Sequence, residues 1–246
     1  MNKKISIIVR TYDEEKHIGK LLDSLKNQDY HNFEIIIIDS SSKDNTLNII
    51  NNNKHSLDIK IYNIPKEKFN YSYASNYGIK KASGDIACFL SGHSAPKNND
   101  YLSNVNDIFS NPKVGGCYGD TIGHSDASIW EKMFNFLGMV KNKIFKSQKN
   151  SQIIEQKIHP GILSCSNACI DLSFLKKNPF ADELGKNGGE DVEMAHRLIK
   201  NGYLIIFSNK LIAYHSHGKK LIPFIKEIQN WKKIYLEVIE YINEKR

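Results

Sequence analysis

From Lys4 to Leu90 the chain alternates short, near-continuous apolar runs with segments whose apolar residues fall at helical spacing. Lys4 to Val9 and Phe33 to Ile38 read as strands, and between them Glu15 to Leu25 carries Ile18, Leu21, Leu22 and Leu25 on one helical face. The pattern repeats, with Thr46 to Asn52 as helix and Ile59 to Ile64 as strand, then Tyr73 to Lys81 as helix and Ile86 to Leu90 as strand. Strand, helix and strand in that order call for a right-handed crossover between parallel strands. Strands apolar at every position need cover on both faces. The expected fold class is α/β, a Rossmann-like, mostly parallel sheet with helices on both faces.

In such a sheet, ligands bind beyond the carboxyl ends of the strands. Three polar segments follow the apolar runs: Arg10-Thr11-Tyr12-Asp13-Glu14, Asp39-Ser40-Ser41-Ser42-Lys43-Asp44 and Ser91-Gly92-His93-Ser94. All three are expected on one edge. After Pro96 the alternation loosens. Tyr101 to Phe109 reads as helix, and Val114 to Tyr118 and Ile162 to Ile170 as strands. Glu190 to Lys200 is a helix with an acidic first turn after Gly188-Gly189 and a stop at Asn201-Gly202. Tyr203 to Ser208 and Leu211 to Tyr214 are β-rich, and Pro223 to Tyr241 is a terminal amphipathic helix.

The 246 residues, 40% hydrophobic and 25% charged, can bury one substantial core or one core shared by two fused halves. No run approaches the roughly 18 apolar residues of a membrane span. Met1-Asn2-Lys3-Lys4 leads into an Ile/Val run bounded by Arg10 rather than into a signal-peptide core, so a cytoplasmic location is expected. Cys88, Cys117, Cys165 and Cys169 fit no disulfide framework and no common zinc spacing, and are expected as reduced core or site-lining thiols. A formal net charge of +7 favours an anionic partner, whether nucleic acid, phosphorylated substrate or anionic membrane surface. No motif of a nucleic-acid reader accompanies that charge. Trp130 to Lys149 interleaves Trp130, Met133, Phe134 and Phe136 with Lys132, Lys141, Lys143 and Lys146. That mixture suits a helix lying at a lipid surface, or a core-packed helix followed by a solvated basic loop.

Ile7-Ile8-Val9-Arg10-Thr11-Tyr12-Asp13-Glu14 and Asp39-Ser40-Ser41-Ser42-Lys43-Asp44-Asn45-Thr46 resemble the nucleotide-binding signature of the family 2 inverting glycosyltransferases. In that family the two segments usually read Pro-Thr-Tyr-Asn-Glu and Asp-Asp-Gly-Ser-x-Asp-x-Thr. Here Arg10 replaces the proline, and Ser40-Ser41 replace Asp-Gly. With Asn76, Gly78, Ala82, Gly84, Asp85 and the late Glu190-Asp191, the resemblance covers most of residues 4 to 215. It implies a GT-A fold with residues 1–96 as a nucleotide-sugar-binding half, 97–218 as a fused acceptor-binding and catalytic half, and 219–246 as a C-terminal helical extension. The residues it assigns to the donor are Arg10, Thr11, Tyr12, Glu14, Asp39, Ser41, Asn76, Ser91, Gly92 and His93. Asp39, at a strand end, can accept the imide N–H of uracil, so a uridine diphosphate sugar is the leading donor and a thymidine diphosphate sugar the alternative. The other use of Asp39 is to cap the helix that begins near Ser42 or Asp44. Asn76 and Gly78 would approach the diphosphate or the sugar, or else make a tight packing contact.

Ser91-Gly92-His93-Ser94 departs from the family, which usually carries Asp-x-Asp at this point to bind a divalent cation. His93 stands where a ligating carboxylate is expected, and imidazole suits manganese-to-zinc ions better than magnesium. A metal site, for manganese or magnesium, would draw on His93 with His215 and His217, two residues apart and so on one side of a strand. The alternative is a positive side chain in place of the metal.

Inverting transfer needs a carboxylate to take the acceptor hydroxyl proton. Glu190-Asp191, at a helix start after two glycines, fits that need, or simply stabilises the helix N-terminus. By resemblance Asp191 is the base and Glu190 binds a sugar, while Asn167 and Gly189 line the acceptor side. The leading reading is an enzyme of polysaccharide or cell-envelope synthesis that moves a sugar to a glycan or lipid-linked acceptor, at the cytoplasmic face of the membrane through peripheral contact. A catalytically inactive nucleotide-sugar-binding or scaffolding homologue is the other, prompted by the missing Asp-x-Asp and opposed by the retained Glu190-Asp191.

Overall fold

The structure is a computed structural model that describes residues 2–133, 152–217 and 221–245. Its first part runs β1 (Ile5–Thr11), α1 (Ile18–Lys26), β2 (Phe33–Asp39), α2 (Thr46–Asn53), β3 (Ile59–Asn63), α3 (Tyr71–Lys81) and β4 (Ile86–Ser91). Next come β5 (Ser94–Pro96), α4 (Tyr101–Ile108), β6 (Val114–Tyr118), β7 (Thr121–Ile122), β8 (Gln152–Glu155) and β9 (Asn167–Asp171). The remaining elements are α5 (Leu172–Lys177), α6 (Glu190–Lys200), β10 (Leu204–Ser208), β11 (Ala213–His215) and α7 (Leu221–Glu244).

Eight strands form one sheet in the order β3-β2-β1-β4-β9-β6-β10-β8. β1 is parallel to both β2 and β4, β2 to β3, and β6 to β10, while β9 and β8 run antiparallel to their neighbours. The expected mostly parallel α/β sheet is therefore present. Side chains alternate across it, as the strand period of two requires. Ile8, Ile36, Ile38 and Phe89 face a core closed by α3, α5, α6 and α7. Ile7, Val9, Ile35, Ile37 and Leu90 face a second core closed by α1 and α4. This two-sided burial is why the strands read as uninterrupted apolar runs. It also makes Gly78 a packing residue, because a Cβ there would lie 2.5 Å from Ile8 Cγ2.

Three expectations are corrected. Ile162 to Ile170 is strand only from Asn167; residues 162–166 form a turn with Leu163 at φ +51°, and their apolar character reflects burial of Ile162, Leu163 and Cys165 rather than pairing. Cys88 and Cys169 are not free thiols but a disulfide, because they face each other across β4 and β9; Cys117 and Cys165 remain free and buried. His217 lies beyond the end of β11, so the same-face rule for a strand does not reach it. Of the segment Trp130 to Lys149, residues 134–149 lie outside the described residues. Among the described residues no helix is long and apolar enough to cross a membrane.

One buried carboxylate ties the sheet to its neighbours. Glu34 on β2 is wholly buried and accepts from Ser6 Oγ (2.7 Å), Ser83 N (2.7 Å), Ser83 Oγ (2.8 Å) and Lys60 Nζ (2.7 Å). Burial pushes its carboxyl up, but the hydrogen bonds from Lys60, Ser83 and Ser6 outweigh this and hold it at about 2. A depressed folded value adds stability above the ordinary 4.5, and that stability is lost as pH falls from there through about 2. Glu34→Ala should therefore lower unfolding free energy by about 3 kcal/mol at neutral pH. Denaturant titrations should show its difference from wild type narrowing below pH 4.5; an equal difference at every pH would contradict this.

Candidate functional site

β1, β2 and β4 end side by side, with Thr11 opposite Asp39 and Arg10 opposite Ser91. The buried Asp39 accepts from Ser42 N (3.0 Å) and Ser42 Oγ (2.5 Å) and so shapes its own loop. It does not cap α2; Asp44 takes the Thr46 N–H at 3.0 Å. Ser41 adopts φ +64° and donates to Asn63 Oδ1 (3.2 Å) and Ile64 O (3.1 Å). Ser41, Lys43, Asn63, Pro65, Lys66 and Glu67 line a cleft of about 410 Å³. Lys66 Nζ lies 4.3 Å over the Tyr12 ring and donates to its hydroxyl at 2.6 Å. Asn76 is not with these residues. Its amide donates to Phe180 O and accepts from Phe180 N, both at 2.9 Å, which is a lock between α3 and the chain before α6.

His93 follows the end of β4. β5 pairs with β11, Ser94 opposite His215, and this second small sheet of β5, β11 and β7 brings His93 to the late histidines. The His93 ring lies 4.6 Å from that of His215 and 4.8 Å from that of His217. One ring nitrogen from each lies within 4.8 Å of the others. Gly92 permits the tight turn, since a Cβ there would lie 2.7 Å from Thr11 Oγ1 and 2.8 Å from Glu14 Cγ. Glu14 Oε1 meets His93 Nδ1 at 2.5 Å, and Ser94 Oγ meets His215 Nδ1 at 2.9 Å. Each contact leaves the Nε2 side of its ring for another partner, and His93 Nε2 is buried with none. Burial, then the neighbouring His93 and His217, push His215 well below its ordinary value and keep it neutral. An imidazole held on one nitrogen by a carboxylate or hydroxyl can present its other nitrogen to a metal ion, as His93 and His215 do here, so these residues fit one. His124 and Glu131 complete the surround: His124 Nε2 meets His93 O at 2.8 Å, and Glu131 accepts from His217 N at 3.1 Å. Nothing in their sequence positions indicated this. Beside the histidines Glu14, Lys16, His17 and Asp126 help line a cleft of about 220 Å³.

The acidic pair opens α6. Gly189, at φ +99°, is the N-cap, and a Cβ on it would lie 2.6 Å from Val238 Cγ2 of α7. The glycine therefore lets α6 seat closely against α7. Glu190 is buried, and Arg10 Nη1 stands 3.6 Å from its Oε1. The guanidinium also donates to Cys165 O (3.2 Å) and Ser75 Oγ (3.4 Å) and lies 5.1 Å from the Tyr71 ring centre. Asp191 Oδ1 takes the Val192 N–H at 2.8 Å. Burial, then the charge of Glu190, push the Asp191 carboxyl up to about 7. Burial raises Glu190 too, and Arg10 opposes it. Asn167 does not line this cavity. It is buried, with Oδ1 accepting from Tyr101 Oη at 2.7 Å and Nδ2 donating to Asp120 O (3.0 Å) and Leu211 O (2.8 Å). It joins β9 to α4 and to the chain before β11.

Residues 6–173 match a family described as Glycosyl transferase family 2. The chain is 28% identical over 235 residues to the dolichyl N-acetyl-alpha-D-glucosaminyl phosphate 3-beta-D-2,3-diacetamido-2,3-dideoxy-beta-D-glucuronosyltransferase of Methanococcus voltae, covering 91% of this chain and 70% of that protein. It is 28% identical over 220 residues to the O-antigen chain rhamnosyltransferase RfbN of Salmonella typhimurium, covering 87% and 67%. Among solved structures it resembles the mannosyltransferase PcManGT from Pyrobaculum calidifontis in complex with GDP-Man and Mn2+, with a TM-score of 0.73 and 19% identity over 98% of this chain and 65% of that one. It also resembles S. aureus TarS 1–349 in complex with UDP-GlcNAc, with a TM-score of 0.65 and 22% identity over 89% and 60%. The chain thus spans less than two thirds of either solved chain, and what it shares with them is the GT-A fold.

The Asp191 environment has a stability consequence. A carboxyl raised from 3.8 to about 7 keeps its proton in the folded chain where the unfolded chain has lost it, so its contribution is present at low pH and lost as pH rises through about 7. Asp191→Asn removes the buried charge and keeps an acceptor for the Val192 N–H. Its melting temperature should exceed that of wild type at about pH 8, with the gap closing towards pH 4; a lower melting temperature at alkaline pH would refute the assignment.

Proposed function

Because the chain belongs to glycosyl transferase family 2, we propose that it moves a sugar, with inversion, from a nucleotide diphosphate donor to a hydroxyl of a glycan or lipid-linked saccharide, with Asp191 as general base. The observation that carries this reading is the Glu190–Asp191 pair at the start of α6, Glu190 buried and Asp191 half-buried, with the Asp191 carboxyl raised to about 7 beside the ligand edge of the sheet. A base titrating near the working pH combines availability with driving force for proton transfer. The acceptor hydroxyl gives its proton to Asp191 as its oxygen bonds to the anomeric carbon. The bond from that carbon to the diphosphate oxygen breaks on the opposite side, and the nucleoside diphosphate leaves with the electron pair. Glu190 Oε2, buried without a partner, is available to a sugar hydroxyl.

The cleft framed by Ser41, Asn63 and Lys66 suits the nucleoside, with Lys66 and Lys43 supplying positive charge and Tyr12 backing Lys66. Each Asp39 oxygen takes one hydrogen bond from Ser42 and retains capacity for a base N–H. That acceptor favours uridine diphosphate sugars first. His93, His215 and His217 would hold a divalent cation, which when bound would neutralise the departing diphosphate. Three imidazoles suit manganese-to-zinc ions better than magnesium. Two relatives are named for a dolichyl-phosphate sugar and an O-antigen chain, which supports a lipid-linked or polymeric acceptor. Exposed Ile129, Trp130, Met133, Ile222 and Trp231 support work against the cytoplasmic face of a membrane.

Calorimetry with uridine, thymidine and guanosine diphosphates, each with chelator and then with manganese, tests the donor site. Uridine diphosphate should bind the wild-type chain and be lost on Asp39→Ala; no binding of any nucleotide would sink the reading. Manganese or zinc titrated into the chain alone should bind and be abolished by His93→Ala. Uptake of magnesium in preference would contradict the imidazole site. Asp191→Asn should cut kcat about 1,000-fold while nucleotide binding persists. An active Asp191→Asn enzyme would move the base elsewhere.

A further inference from the structure

Two neighbouring carboxyls in a buried site do not both ionise without a cation beside them. Arg10 is that cation. Its guanidinium is held from three directions, by Ser75 Oγ on α3 (3.4 Å), by Cys165 O in the 162–166 turn (3.2 Å) and by the Tyr71 ring (5.1 Å), and it presents Nη1 to Glu190 Oε1 at 3.6 Å. Its side chain is only 10% exposed. A guanidinium buried this far keeps its charge, and its planar fork is committed to one orientation by these contacts. We propose that Arg10 is a positioning residue for Asp191: by holding Glu190 as the ionised member of the pair, it leaves Asp191 as the member that gains and loses the proton. This rests on the reading of Asp191 as base, and it gives β1 a role in acid–base chemistry in place of the donor contact expected of Arg10.

Among the described residues the other groups facing the pair do not supply that charge. Cys165, from the turn, is a buried thiol pushed up by burial and neutral. Glu193, one turn along α6, is tied to Arg197 at 2.8 Å. α7 turns Ile234 and Val238 towards Gly189. His215 of β11, near enough to Arg10 to be affected by its charge, is held neutral by burial.

The decisive measurement is the infrared carbonyl band of a protonated carboxyl in the full chain at about pH 8.5, above the Asp191 value of about 7. Wild type and Arg10→Lys should show no such band. Arg10→Ala should show one, because the pair without its cation retains a proton, and Arg10→Ala combined with Glu190→Gln should lose it again. Arg10→Gln, closer in shape, serves where Arg10→Ala does not fold. Absence of the band in the folded Arg10→Ala or Arg10→Gln chain overturns the proposal. In turnover, Arg10→Ala should lower kcat about tenfold or more with the donor KM little changed. It should add little in the Glu190→Gln background, and Arg10→Lys should restore part of the loss. A raised donor KM with kcat kept would instead put Arg10 on the donor and overturn the proposal. The infrared arm needs no transfer assay, so it can fail while the transferase reading stands, and the reverse.

Discussion

Burial of the central strands on both faces governs where this chain can carry chemistry. Ile7 and Val9 fill one core and Ile8 the other, and β2 and β4 repeat the division with Ile35, Ile37, Ile36, Ile38 and Phe89. A polar side chain in the middle of such a strand would have no solvent and few partners, so its desolvation would cost more than a hydrogen bond returns. Polar residues are therefore pushed to the strand ends. Because the strands are parallel, the ends of β1, β2 and β4 fall on one edge, with Thr11 beside Asp39 and Arg10 beside Ser91. Glu34 and Ser6 are the exceptions that show the rule, since they enter the sheet only as members of a network with Lys60 and Ser83.

Satisfaction of buried polar atoms separates framework from site. Asn76, Asn167 and Glu34 have their acceptors and donors engaged by protein groups, and each joins elements distant in the chain. Among the described residues Thr11 Oγ1, His17 Nδ1, Ser40 Oγ, His93 Nε2 and Glu190 Oε2 are buried and have no partner. Each unsatisfied group costs about 1–3 kcal/mol; four belong to residues gathered around the strand ends and the start of α6, and the fifth, His17, helps line the cleft beside the histidines. A fold accepts such costs where a ligand supplies the missing partner. By this criterion Asn76 and Asn167 belong with the scaffold although their positions in the chain suggested the site, while Glu190 and His93 belong with the site.

The parallel half of the fold was legible because its signal is local: strand and helix periods over a few residues, alternating through the four strands and three helices from β1 to β4. The elements that sequence reasoning missed or misdrew depend on distant pairing. β5 is three residues long and becomes a strand only because β11 lies against it. The apolar 162–166 stretch is buried without being paired, and burial and pairing give the same composition. Cys88 and Cys169 looked scattered at 81 residues apart, yet the antiparallel insertion of β9 beside β4 sets them opposite one another. For the site, residue type and spacing singled out Glu190, Asp191, His93, His215 and His217. They carried no sign of His124 or Glu131, whose roles arise from the small second sheet and the chain leading to it.

The two departures from the family signature become intelligible together. On the proposed reading, Ser91-Gly92-His93-Ser94 supplies one imidazole and no carboxylate where the family usually has Asp-x-Asp. Arg10, where the signature usually has proline, adds a fixed positive charge at the adjoining strand end, 3.6 Å from Glu190. Carboxylates stand on both sides of the site, Glu190 and Asp191 at the start of α6 and Glu14, Asp126 and Glu131 around the histidines. Arg10 is paired with the first group, and on the proposal above that is why it cannot be exchanged for a neutral residue without leaving the pair to retain a proton.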